Sequence, residues 1–324
     1  IVLGVGASHS PQVSTPWPLW AERARHDSTR DRLAFRGGRY RFAELVEQRA
    51  GDGLDREIEA DVQQRRHRVC QEAIAELGAR LAAAEPDVVI VIGDDQDERL
   101  RADNRPSLLV YAGDAVPVRP RIYPETALPV DLAAAWSFGE ESVELPGNAA
   151  LATHLIRTFI EREIDVAVGD RIRDGLGVGH AFAFVARRLY DGRTFATIPV
   201  MLNTYYPPNQ PTARRCLAYG AAMRAAVESF PEDLRVAVVA SGGLSHFVID
   251  EQLDRALLDA MTRGAVDELA DADDAVLVEG TSEIKNWLVA AGAVAGMRME
   301  TLVYEPCYRS LAGTGCAMAF AVWN

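Results

Sequence analysis

Three of the six histidines in this chain follow glycine-bearing turns, where backbone passes close to whatever the turn presents. His9 comes after Gly4-Val5-Gly6-Ala7-Ser8, His180 after Gly175-Leu176-Gly177-Val178-Gly179, and His246 after Gly242-Gly243-Leu244-Ser245. Imidazole titrates near neutrality and ligates first-row metals, so each is a candidate acid, base or ligand. A fourth turn, Gly93-Asp94-Asp95-Gln96-Asp97-Glu98, packs four carboxylates and one amide into five positions. It reads either as a solvated acidic loop or as an oxygen-rich cation site, although the EF-hand spacing is absent. Adjacent carboxylates repel, which raises at least one pKa unless a cation is close. Glu283 follows Thr281 and Ser282, residues suited to capping a helix. It is therefore either a first-turn carboxylate that suits the helix dipole or the carboxylate of a two-histidine, one-carboxylate set for non-haem Fe(II).

Other polar positions carry less. Gly4-x-Gly6 resembles the opening of a dinucleotide fingerprint, but His9 occupies the place of the third glycine. Pro11 opposes helix continuation there, so no helix N-terminus is expected to face a pyrophosphate. His26, His67 and His154 lie in helical or charge-rich stretches and read as surface or packing residues.

The candidate residues have to be positioned by something, and the hydrophobic pattern says what. Short β-rich runs at 1–6, 87–92, 107–112, 195–202, 235–240, 297–304 and 317–323 read as strands. Helical periodicity dominates 57–84, 150–163, 181–190, 212–230, 254–270 and 283–291. Near-continuous apolar strands separated by helices predict a three-layer α/β/α fold with a mostly parallel central sheet. In such sheets ligands gather at the carboxyl ends of the strands, where the turns bearing His9, the acidic cluster and His246 fall. Residues 12–55 and 113–149 interrupt the rhythm and read as elaborations of a single domain spanning 1–324. The second contains Pro117, Pro120, Pro124, Pro129 and Pro146.

Composition narrows the partners. With 34 basic and 47 acidic side chains in 324 residues, the net charge of −13 argues against nucleic acid. The 48% hydrophobic content is enough for a full core. No apolar run approaches the roughly 20 residues that span a bilayer, and no signal peptide is evident. Cys70, Cys216, Cys307 and Cys316 form no CxxC pair, and Cys70 and Cys216 read as buried thiols, which suits a reducing, cytoplasmic setting.

Taken in order, these motifs resemble class III extradiol ring-cleavage dioxygenases, most nearly the catalytic beta subunit of protocatechuate 4,5-dioxygenase and 3-O-methylgallate dioxygenase. The resemblance is carried by Ser8-His9-Ser10-Pro11, the Gly-Asp-Asp-Gln96 turn, Gly179-His180, Gly-Gly-Leu-Ser-His246 and Glu283-Ile-Lys-Asn-Trp287-Leu288. Tyr206-Pro207-Pro208 and the stretch 224–234 extend it along nearly the whole chain. It implies Fe(II) held by His9 and Glu283, with a further ligand from the turn after the second strand. There the family has Asn-Asp-His and this chain has Asp94-Asp95-Gln96, so glutamine stands where a ligating histidine belongs. Gln96 ligates through its oxygen, or holds a water on the metal, or is replaced by His67, His154, Asp94, Asp95 or Asp97; failing these, the metal binds poorly and the chemistry differs.

The resemblance further implies that His246 acts as base toward a catechol- or gallate-type substrate. His180 then hydrogen-bonds the oxygen or oxyanion as the ring opens with O2. Arg119 and Arg121 are candidate partners for a ring carboxylate. A small partner subunit and homo-oligomerisation both remain open, as do a metal-dependent hydrolase and a non-catalytic homologue with an impaired iron site.

Overall fold

The structure, a computed structural model, describes residues 1–121 and 138–324. Its centre is an eight-stranded sheet whose order is β11-β12-β1-β10-β4-β9-β5-β8. The strands are β1 (Leu3–Ala7), β4 (Val88–Asp94), β5 (Leu108–Tyr111), β8 (Ala167–Gly169), β9 (Ala196–Leu202), β10 (Val236–Ser241), β11 (Met299–Tyr308) and β12 (Gly315–Trp323). β1, β10, β4 and β9 form a parallel core, while β12 and β5 join it antiparallel at its two flanks.

The parallel strands are buried throughout because helices cover both faces, and successive side chains alternate between them. Ile90, Ile92, Val236 and Val238 pack with residues of the helices Ala149–Glu161, Ala213–Ser229 and Ile284–Ala293. Val89, Val91, Ala237 and Val239 point the other way, toward residues of the helix Ala60–Ala83 and of 182–189. The expected three-layer α/β/α arrangement with a mostly parallel sheet is therefore present.

Several local expectations change. The helix expected over 254–270 is two helices, Glu251–Arg263 and Val266–Ala270, because Gly264 takes the left-handed conformation (φ 66°) that ends the first. Pro11 does not oppose a helix. It opens the single turn Pro11–Ser14, in which Ser10 accepts from the backbone N–H groups of Gln12 and Val13. The short strand β8 carries too few apolar residues to announce itself in the sequence.

Residues 12–55 are ordered, with a helix Trp20–Asp27, a hairpin of β2 (Leu33–Phe35) and β3 (Gly38–Tyr40), and a helix Phe42–Gln48. Part of 113–149 forms the hairpin of β6 (Ala115–Val118) and β7 (Val143–Pro146); Pro124 and Pro129 lie outside the described residues.

Gly6 sits within β1, not in a phosphate-binding loop, and its role is steric. A Cβ there would lie 2.3 Å from the Trp287 ring. That indole is fully buried and donates to the Gly242 carbonyl at 2.8 Å, so it has nowhere to retreat. Gly6→Ala is accordingly expected to cost about 1–3 kcal/mol through overpacking, read as a lower urea midpoint with an unchanged m-value.

Candidate active site

The carboxyl ends of β1, β10 and β4 lie side by side, and each leads into a turn singled out above. β1 delivers His9, β10 runs through Ser241 toward His246, and β4 ends on Asp94 with Gln96 and Glu98 just beyond. Two further segments close the ring: His180 opens the helix His180–Phe184, and Glu283 ends a 3-10 turn at the start of the helix Ile284–Ala293. His9, Gln96, Glu98, His180, His246 and Glu283 thus line one cavity of about 200 Å³. A cavity of roughly 150 Å³ takes benzene, so the space suits a single substituted ring.

His9 is 3% exposed, and its tautomer follows from its neighbours. Ser241 Oγ donates to the Ala181 carbonyl at 2.8 Å, so it accepts from His9 Nδ1–H at 3.0 Å. This leaves a lone pair on Nε2, which is buried without a hydrogen-bond partner and sits 3.6 Å from Glu283 Oε2. Burial pushes the His9 pKa down to about 3, keeping the ring neutral. A buried, neutral imidazole nitrogen with no partner is what a metal ion requires of a ligand.

Glu283 is equally enclosed. One oxygen accepts from the Gly243 N–H at 2.6 Å and the other lies 3.2 Å from His246 Nε2. Burial opposes its charge, yet the charge of His246 holds its carboxyl below the ordinary range. The helix-cap reading of this segment fails: Thr281 spends its hydroxyl on the backbone of His246, accepting at 3.1 Å and donating at 2.8 Å. Gly280 makes room for the imidazole, since a Cβ there would lie 2.3 Å from its ring.

Among the described residues, ligand atoms of His9, Asp94, His180 and Glu283 lie within 4.8 Å of one another. With His180 held protonated by Glu98, the unpartnered His9 nitrogen and the Asp94 and Glu283 carboxylates are the donors that fit a divalent cation. Gln96 turns its amide nitrogen to the group, donating to Asp94 Oδ2 and Glu283 Oε1, each at 3.0 Å. The ionised Glu283 carboxylate only accepts, which assigns the nitrogen and not the oxygen to this end of Gln96.

The two remaining histidines differ in what holds their outer nitrogen. His246 Nδ1–H donates to the Leu244 carbonyl at 2.8 Å, leaving Nε2 toward Glu283. Burial would lower its pKa, but Glu283 outweighs it and raises the value to about 10. His180 Nδ1–H donates to Glu98 at 2.7 Å, and its backbone N–H donates to the same carboxylate at 3.0 Å. Against burial, Glu98 raises His180 to about 10, and His180 in return helps to hold Glu98 down at about 2.

Glu98, which the sequence offers only as one member of an acidic loop, is the partner of His180 in this cavity. Asp95 shapes that loop by accepting from the N–H groups of Glu98, Arg99 and Leu100. Asp97 is exposed and paired with Arg105. His67 packs against Trp20 and His154 bonds Ser229, so neither reaches the cluster. Arg121 lines the cavity, whereas Arg119 is committed to Glu144 and the Val143 carbonyl.

Residues 58–315 match the family described as the catalytic LigB subunit of aromatic ring-opening dioxygenase, and the chain belongs to it. It is 32% identical to a gallate dioxygenase of Pseudomonas putida over 163 residues, 46% of each chain. It is 28% identical over 167 residues to a 2,3-dihydroxyphenylpropionate/2,3-dihydroxicinnamic acid 1,2-dioxygenase of Cupriavidus necator, which covers 52% of this chain and 46% of that protein. The matched stretches thus span about half the length of these relatives. Among the described residues, no helix is long and apolar enough to cross a membrane.

Proposed function

We propose that the chain is an Fe(II)-dependent extradiol dioxygenase that opens a catechol- or gallate-type ring with O2, acting as one catalytic domain over 1–324. The observation that carries this reading is the buried His9 Nε2 facing the Glu283 carboxylate, with His246 beside Glu283 and His180 held by a separate carboxylate, Glu98. His9 and Glu283 would hold the ion, with Gln96 against them in the place where the family has histidine. Ferrous iron, when bound, supplies the centre at which adjacent ring oxygens and O2 meet and exchange electrons.

The protein's share is positioning and proton control. The aromatic side chains of Phe138 and Phe247 line the cavity and provide faces against which a ring packs. Arg121 and Arg309 stand at its wall, Arg309 already bound to Asp27 and Gln12. Glu283 cannot spend its charge both on a cation and on His246. A cation on Glu283 would weaken what raises His246, and its Nε2 would then serve to take the proton of a ring hydroxyl. His180 keeps its proton because Glu98 does not ligate, and it donates to the oxyanion that develops as the ring opens. Two histidines with different neighbours thereby serve as base and acid.

The reading is tested by loading the protein with Fe(II) under argon and then offering O2 with catechols and gallates. Consumption of O2 in step with a ring-fission chromophore is expected from at least one diol. Iron-loaded protein that consumes no O2 with any of them overturns the reading, and diol-independent hydrolysis of an ester or amide panel would favour a hydrolase.

A further inference from the structure

Resting on the metal-dependent reading above, we infer that Asp94 is the third protein ligand of the metal, and that Gln96 is the donor that orients it. Asp94 ends β4 with its side chain on the same face as Ile90 and Ile92, which aims it at the helix Ile284–Ala293. There the Asn286 amide donates to its Oδ1 at 3.1 Å and to the Ser241 carbonyl at 2.9 Å. Oδ1 is thus fixed, and Oδ2 is left facing the cluster beside Glu283, where Gln96 bridges the two carboxylates.

Burial is what gives this arrangement its meaning. Asp94 is fully buried and Glu283 is 2% exposed, and the side-chain hydrogen bonds to Asp94 come from two neutral amides. Two buried carboxylates tied to one amide repel each other, and a cation between them turns that cost into attraction. The unpartnered Nε2 of His9 lies 3.6 Å from Glu283 Oε2, and ligand atoms of His9 and Asp94 lie within 4.8 Å of each other. Gln96, by contrast, has its nitrogen committed to both carboxylates, the geometry of an outer residue that orients ligands. Gln96 stands where the family resemblance implies an imidazole, and a carboxylate lies two positions earlier, so one His, one Asp and one Glu would serve in place of two His and one Glu.

Calorimetric titration of the metal-free protein with Mn(II), and the visible spectrum of its Co(II) form, decide this without any turnover. Asp94→Asn keeps the shape of the side chain and is expected to lower Mn(II) affinity by more than the ~10–100-fold typical of an outer-sphere loss, with a changed Co(II) spectrum. Gln96→Ala is expected to lose no more than that range. Thermal melting of both metal-free variants checks that the fold survives. Wild-type affinity in Asp94→Asn overturns the inference, as does a Gln96→Ala loss equal to or larger than that of Asp94→Asn. Wild-type protein that binds no divalent ion overturns the metal reading itself, and is recognisable as such before either variant is compared.

Discussion

Replacing His246 with alanine is expected to lower kcat by about 10²–10⁴-fold while leaving metal content at its wild-type level. The loss follows from the division of nitrogens at this residue. Nδ1 is anchored on the Leu244 carbonyl, so only Nε2 can take a proton from substrate, and its position is held by the Thr281 hydroxyl on the backbone. Removing the ring leaves Glu283 with its Gly243 N–H bond and its place beside His9. Metal analysis of purified protein and single-turnover kinetics with a diol check the two halves separately. Unchanged turnover would remove His246 from the base role, and loss of metal would make it a ligand.

Glu98→Gln is expected to cost about 10²-fold in kcat and about 3–5 kcal/mol of stability near pH 6. An amide in place of the carboxylate cannot hold a proton on His180, whose pKa then falls from about 10 toward the ordinary 6.5. The pH dependence has a definite sign. His180 is raised from 6.5 to about 10 on folding, so its contribution is complete below pH 6.5 and is lost as pH rises through 10. Glu98 is lowered from 4.5 to about 2, so its contribution is present above pH 4.5 and is lost as pH falls through 2. The pair therefore supports the fold fully between about pH 4.5 and 6.5. Urea denaturation of wild type and variant should show a gap at pH 6 that narrows steadily toward pH 10. A gap that does not change with pH would mean that the charges of this pair are not what Glu98 contributes.

These two residues also show how far the sequence could be read. His246, His9 and Glu283 were legible because each follows a turn rich in small residues at the end of a recognisable element, and the α/β rule says where such turns gather. Glu98 was not, since its role depends on His180, 82 residues away, approaching closely enough for Gly179 to be required. A Cβ at Gly179 would lie 2.5 Å from the Glu98 carboxylate. Ser241 and Asn286 escaped for the same reason: a strand-end serine and a helical asparagine carry no local signal of the buried partners they orient. The Ile90, Ile92, Asp94 face was readable as a period of two, but only the packed helix Ile284–Ala293 shows what that face meets. Pro11 misled because proline signals a helix start as readily as a helix stop, and only the Ser10 cap distinguishes them.

Under the proposed function this pocket joins O2 to a diol ring and opens it. One turnover of Fe(II)-loaded protein under ¹⁸O2, followed by mass spectrometry of the product, tests it directly. Both oxygen atoms of one O2 molecule should appear in a ring-opened product, apart from any label lost by exchange with water. A product that carries no label, or an intact ring after O2 has been consumed, would contradict the assignment.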